Sequence, residues 1–312
     1  MRKKTPSYLK KFDSGELQSC TEKARKILQC CTLCPHCCKI DRLQNETGIC
    51  RTGAFTKVYS YSSHFGEESP LVGSSGSGTI FFSSCNLGCV FCQNYEISHL
   101  DEGVEASPGQ LAAMMLGLQE QGCHNINFVT PSHVVPQILK ALVEAIPLGL
   151  KIPLVYNSSG YDSVDTLRLL DGIIDIYMPD FKFWEKDSAT QFTNAADYSE
   201  VAQKSITEMF RQVGDLRIND QGVATHGLLV RHLVMPDCLD ETKAILAFLS
   251  KLSKRTYTNI MDQYRPCGKA FEFSQLGRKI TKEEFDAALM YAREVGLTRL
   301  EQKDWSKFLR LV

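Results

Sequence analysis

The chain has 312 residues, a length that fits one large α/β domain with an appendage or two ordinary domains of roughly 100–200 residues each. Lys+Arg total 35 against 36 Asp+Glu, a formal charge of -1, so neither a basic nucleic-acid surface nor an acidic tail is written into the composition; 43% apolar and 23% charged residues exclude wholesale disorder. The unusual quantity is cysteine: there are 13, an odd number, six of them between Cys30 and Cys50 and three between Cys85 and Cys92, a clustering that suggests metal more than a disulfide framework.

The N-terminal MRKKTPSYLKKFDSGEL has basic residues with no apolar segment after them, so no signal peptide is read there. No run approaches the roughly 18–20 apolar residues that cross a bilayer. The expectation is a cytoplasmic protein with no membrane and no nucleic acid among its partners. Residues 1–30 read as a peripheral helical arm, with a serine cap at Ser14 and helix formers after it. Residues 31–72 carry the first cysteine cluster and little periodicity, and order in so short a stretch would depend on a metal. At Gly73 the character changes: GSSGSG leads into GTIFFSS, a short β-favouring run that ends at Cys85.

Further strands are expected at Asn125–Val129, Ile152–Tyr156, Ile173–Met178, Leu228–Val234 and Tyr257–Met261. Helical stretches such as SPGQLAAMMLGLQEQG, SHVVPQILKALVEAIP and DETKAILAFLSKLS lie between them. Such alternation implies parallel strands joined by crossover helices, because parallel neighbours cannot be linked by a tight hairpin. Pattern alone leaves an open doubly wound sheet and a barrel both possible, and in either the loops at the C-terminal strand ends form the site. TKEEFDAALMYAREVGL predicts a closing helix within a C-terminal segment spanning 271–312.

At the end of the first of these strands stands Cys85-Asn-Leu-Gly-Cys89-Val-Phe-Cys92, three thiols within eight residues. A four-iron cluster held by three cysteines keeps one iron open, and an open iron is a reaction site. Gly88 lets the loop wrap tightly, and Phe91 could lay an aromatic face against a heterocycle. The bland alternatives are a three-cysteine zinc site with a distant fourth ligand, or buried free thiols.

This Cys-x3-Cys-x2-Cys motif, with an aromatic just before its last cysteine, resembles the signature of the radical S-adenosylmethionine superfamily. Over roughly residues 31–270 the sequence looks closest to the branch of pyruvate formate-lyase activating-enzyme-like iron–sulfur proteins. FCQNYEIS, NINFVTPSH, YNSSGYD, MPDFKF, VRHLVMP and NIMDQYRP carry the likeness, each at or just past an expected strand end. The resemblance implies a partial (β/α)6 barrel over 73–270, preceded by a cysteine-rich metal-binding module. It implies a [4Fe–4S] cluster on Cys85, Cys89 and Cys92, S-adenosylmethionine on the open iron, and hydrogen-atom abstraction by a 5′-deoxyadenosyl radical. It also implies a flavodoxin or ferredoxin as electron donor.

Residue by residue, Asn157 follows the third strand, where the activating enzymes carry polar residues near the ribose. Lys182, in the Asp180-x-Lys of the fourth, could pair with the methionine carboxylate, and Arg231 on the fifth resembles an arginine that reaches toward the cofactor. Gln263 and Tyr264 would border the adenine or the substrate. Where family members carry Gly-Gly-Glu, this chain has Val129-Thr130-Pro131-Ser132, so Thr130 or a backbone carbonyl must stand in for the acidic contact. A solvated charge or structural hydrogen bond is the competing reading for each of these, and His133 and His232 read as structural.

Cys31, Cys34, Cys38 and Cys50 supply four thiols in two groups, enough to close a tetrahedral site. Zinc and a second iron–sulfur cluster both suit them, and neighbouring Cys30, Cys37 and His36 make the assignment ambiguous. The ferredoxin-like insertion of larger glycyl-radical activators is missing, so the target could be a glycyl-radical enzyme, a peptide or a small molecule. A reading from another class is a non-catalytic zinc-binding adaptor on a barrel scaffold.

Overall fold

The computed structural model describes residues 5–302; of the expected segments, residues 1–4 of the arm and 303–312 of the C-terminal stretch lie outside it. Two helices open the chain, α1 (Ser7–Asp13) and α2 (Glu16–Ile27). They are not a peripheral arm. Tyr8, Leu17 and Ala24 are buried in the main core, and the Tyr8 hydroxyl donates to the Ile152 carbonyl at 2.9 Å. In α2 Leu17, Thr21 and Ala24 share one buried face among charged residues, so the helix needs a surface to cover before that face is stable.

After the cysteine-rich stretch come β1 (Thr56–His64), α3 (Ser69–Val72), β2 (Ser77–Phe82), α4 (Tyr95–His99), β3 (Val104–Ala106) and α5 (Pro108–Glu120). Next are β4 (Ile126–Val129), α6 (Val135–Ala145), β5 (Leu154–Ser158), α7 (Val164–Leu169), β6 (Ile176–Pro179), α8 (Lys186–Phe192) and α9 (Tyr198–Val213). The chain then runs through β7 (Arg217–Ile218), β8 (Ala224–Leu233), α10 (Leu239–Leu252), β9 (Tyr257–Met261), α11 (Lys282–Glu294) and β10 (Arg299–Leu300). Helix starts follow the sequence where it carries caps: Ser107 with Gln110 and Thr281 with Glu284 form capping boxes on α5 and α11.

The protein is α/β with a mostly parallel central sheet, ordered β10-β9-β8-β6-β5-β4-β2-β1-β3, with β7 beside β8. Every neighbour pair from β2 to β10 along this path is parallel, whereas β1 runs antiparallel to β2 and β3. The sheet therefore begins at Thr56, not at the sequence-drawn boundary of residue 73. Polar TKVYSYSSH has no apolar alternation to announce a strand, because its side chains are largely exposed at this end of the sheet.

Period-two alternation divides the parallel strands into two faces. Leu154, Tyr156, Tyr177, Leu228 and Val230 join the core shared with the helices. Val155, Ile176, Met178 and Leu229 face the other way and enclose Leu71 of α3, so the turn after β1 is folded inside the sheet's second face. The same alternation carries Asn157, Asp180, Arg231 and Asn259 onto that inner face, toward the C-terminal strand ends. No helix among the described residues is long and apolar enough to cross a membrane.

Candidate functional site

A cavity of about 960 Å³ opens over the inner face, and Cys85, Cys89 and Cys92 lie together on its wall. Thr130, Asn157, Lys182 and Arg231 line it too, so the structure gathers the residues singled out after four different strands around one space. Phe91 borders it but is 4% exposed, its ring packed edge-on against Phe183 at 5.7 Å and near Tyr264 at 6.2 Å. Gln263 lines the cavity, while Tyr264 is buried behind Phe91 with its hydroxyl on the Leu276 carbonyl.

The thiol loop is fixed by backbone contacts from distant segments. Val90 N–H donates to the Phe192 carbonyl at 3.1 Å, Asn194 N–H to the Leu87 carbonyl at 2.9 Å, and Lys269 N–H to the Val90 carbonyl at 2.8 Å. Gly88 has φ +61, the left-handed region that glycine enters without a Cβ clash. Ser84 (φ +69) and Thr130 (φ +61) adopt the same conformation at the ends of β2 and β4, and both line the cavity. For a β-branched threonine this is a costly backbone state, of the kind that persists where the surroundings dictate it.

Charge around the thiols is ordered. Burial pushes the Cys85 thiol above its ordinary pKa, while the Gly88 and Leu87 N–H groups and the Lys182 ammonium act against that rise. Burial likewise raises Cys89, and Lys182 is the chief opposing influence. Lys182 is itself disfavoured as a cation by burial, but Asp180, whose carboxylate lies 2.5 Å from its Nζ, outweighs this and holds it charged.

Two residues that sequence reasoning missed complete the cavity floor. Glu67 and Glu68, in the turn before α3, both pair with Arg231; Glu68 Oε1 lies 2.6 Å from its Nε. Arg231 also donates to Asn157 Oδ1 at 3.3 Å, and Asn259 Nδ2 donates to Glu68 at 2.8 Å. Burial would raise the Glu67 carboxyl, but Arg231 and the His64 ring hold it down at about 2. Arg231 is thus a fixed, neutralised wall of the cavity and not a free cation. Only the adjacent acids in HFGEESP hinted at it, since no periodicity marks that turn.

The second cysteine group is of another kind. Cys31, Cys34, Cys38 and Cys50 line a separate small space of about 10 Å³, room for one water-sized particle, which Cys37, His36 and His133 also border. Cys30 and Cys37 are exposed, and their thiols lie 3.8 Å and 3.7 Å from the Lys39 and Cys34 carbonyls. Among the described residues no three His, Cys, Asp or Glu side chains already converge on one point as ligands of a single ion. His232 is buried with one ring nitrogen on the Phe181 carbonyl and the other on the Thr242 hydroxyl, a structural placement.

Fold and site together define an α/β protein with a thiol-lined cavity at the C-terminal ends of a parallel sheet. No known protein-family model matches the chain. It is 34% identical over 287 residues to the Uncharacterized protein MJ0674 of Methanocaldococcus jannaschii, a match covering 88% of this chain and 78% of that protein. The chain belongs to the family of that archaeal protein.

Proposed function

We propose that this protein is a radical S-adenosylmethionine enzyme whose Cys85, Cys89 and Cys92 hold a [4Fe–4S] cluster, with S-adenosylmethionine received in the adjoining cavity. The observation that carries this reading is the placement of three thiols on the wall of one cavity of about 960 Å³ beside the strand-end polar residues. That volume is at the upper end of ordinary cofactor pockets. Six of the seven parallel strands, β2, β4, β5, β6, β8 and β9, are on this reading the staves of a partial (β/α)6 barrel, with the cysteine-rich stretch as its metal-binding module.

The donor set fits such a group. Three thiolates leave a four-iron cluster one open corner, and a cluster gripped at separate corners does not need its ligands to converge on a point. Lys182 and two backbone N–H groups favour the thiolate form of the loop cysteines. When bound, the cluster and S-adenosylmethionine supply reductive sulfonium cleavage and a 5′-deoxyadenosyl radical that abstracts a hydrogen atom. The chain's own residues then bind and exclude water. Lys182, aligned by Asp180, is the charge offered to a carboxylate. Asn157, held by Arg231, offers its amide to a hydroxyl-bearing ligand, and Thr130 presents strand-end backbone where other family members of the superfamily carry an acid.

The partners we propose are a flavodoxin or ferredoxin as electron donor and a target that carries the abstracted hydrogen, a glycyl-radical enzyme or a smaller molecule, in the cytoplasm. Anaerobic reconstitution should give a brown protein with about four irons on the central loop. A folded, colourless protein that takes up only zinc would favour the adaptor reading instead. Deuterium transfer from labelled candidate substrates into deoxyadenosine identifies the target, and no transfer from a glycyl-radical enzyme removes the activator assignment.

A further inference from the structure

Arg42 is 0% exposed, the largest of the fully buried side chains. Its partners are all neutral. Nε and Nη2 donate to the Gly53 carbonyl at 3.1 Å and 2.9 Å, Nη1 donates to the His133 carbonyl at 2.8 Å, and Nη1 lies 3.9 Å from Cys31 Sγ. A guanidinium cannot discard its proton, and a buried charge needs an opposite one. No carboxylate is among its partners, and the cavity it borders is lined by Cys31, Cys34, Cys38 and Cys50, with His36 and the exposed Cys37 also on its wall. A second buried group there is also unfinished: His133 Nε2 meets the Ser83 carbonyl at 3.0 Å and so carries its hydrogen, leaving Nδ1 a buried lone pair with no partner.

We infer that Cys31, Cys34, Cys38 and Cys50 bind one divalent metal ion of the zinc type as a tetrathiolate, and that Arg42 is the buried counter-ion of that anionic site. Four thiolates around a divalent ion carry two net negative charges, which supplies the anion that Arg42 lacks. The small space of about 10 Å³ suits a single ion and not a multi-iron cluster, in contrast to the cavity of about 960 Å³ beside Cys85. Four ligands with no open position make the site structural. The four thiols already share one space, so convergence on an ion calls for side-chain rotation within an existing fold. Gly48 helps to make that space: a Cβ there would lie 2.7 Å from Cys38 Sγ.

The assignment is independent of the proposed radical chemistry and is tested without it. Full-length protein carrying Cys85→Ala, Cys89→Ala and Cys92→Ala together is loaded with Co²⁺, whose spectrum reports tetrahedral sulfur coordination, and with Zn²⁺, whose release to a chromogenic chelator reports affinity. One metal per chain with an all-sulfur spectrum is expected, unchanged in Cys30→Ser and Cys37→Ser and lost in Cys38→Ser. Arg42→Gln, which removes the charge, should weaken zinc binding about 10–100-fold, the range for outer-shell partners of metal ligands. Arg42→Lys, which keeps the charge but not the fork of hydrogen bonds, should stay within a few-fold of the parent. Equal losses in Gln and Lys variants would overturn the counter-ion role. Metal loss in His133→Asn or Cys37→Ser as large as in Cys38→Ser would overturn the ligand set. Should the triple-alanine chain fail to fold, zinc content of the otherwise unaltered Cys37→Ser and Cys38→Ser proteins makes the same distinction.

Discussion

Replacing Arg231 with methionine strands two carboxylates in the floor of the cavity. The Glu67 and Glu68 side chains are 7% and 2% exposed, and Arg231 is 16% exposed, so water screens this triad little. Glu67 is held at about 2 from an ordinary 4.5, and at about 1.36 kcal/mol for each unit this corresponds to about 3 kcal/mol of folding free energy. Breaking a buried ion pair by removing one partner costs a similar roughly 3–5 kcal/mol. Urea denaturation at pH 7, followed by circular dichroism, should therefore show a loss of about 3–5 kcal/mol for Arg231→Met. Most of it should return when Glu67→Gln and Glu68→Gln are added, because neutral amides no longer need the cation. The pH dependence has a fixed sign. A depressed carboxyl contributes stability that is full above 4.5 and lost as pH falls toward about 2, so the deficit of the variant should narrow on acidification through that window. A single variant that loses less than about 1 kcal/mol, or a triple variant no better than the single, would refute this account of the floor.

Other consequences are equally specific. Gly160 has φ +78, and a Cβ there would lie 2.2 Å from the Asp180 carbonyl oxygen, so Gly160→Ala should destabilise by about 2 kcal/mol or more and displace Asp180 from Lys182, read by urea denaturation and by iron retention. His133 and His232 are each lowered to about 4 by burial, so the native state refuses protons that the unfolded chain accepts below 6.5. Stability should accordingly fall as pH drops from 6.5 toward 4, by up to about 1.4 kcal/mol per pH unit for each histidine, and His232→Gln should flatten the slope. His36 Nε2 meets the Asn86 carbonyl at 2.7 Å and His133 meets that of Ser83, so stripping metal from the cysteine quartet should speed amide hydrogen exchange across residues 83–92. Unchanged exchange there would show that the two cysteine groups are mechanically separate.

The parallel strands were legible because Ile126–Val129, Leu154–Ser158 and their neighbours are short apolar runs whose both faces are covered, and each lies between helical stretches. The thiol loop was legible as spacing, and its place at a strand end followed from GTIFFSS running into Cys85. Bounds drifted where apolar residues continue past the ladder: Ile173 and Ile174 are buried in the turn before β6, not in the strand. What escaped the sequence depends on distant partners. β1 is polar because it is largely exposed, Leu71 is one leucine whose burial requires three strands from elsewhere in the chain, and Arg42 looks like any surface arginine until the backbone carbonyls of Gly53 and His133 are brought around it. The pairing of Arg231 with Glu67 and Glu68 spans more than 160 residues, a distance at which local pattern carries no signal.

The central claim is tested most directly by one measurement: 5′-deoxyadenosine formed from S-adenosylmethionine by anaerobically iron-loaded protein under dithionite. Deoxyadenosine and methionine are expected from the parent chain and from Cys37→Ala. None is expected from Cys85→Ala, Cys89→Ala or Cys92→Ala. An iron-loaded parent that makes no deoxyadenosine, or loop-cysteine variants that still make it, would contradict the assignment of this cavity.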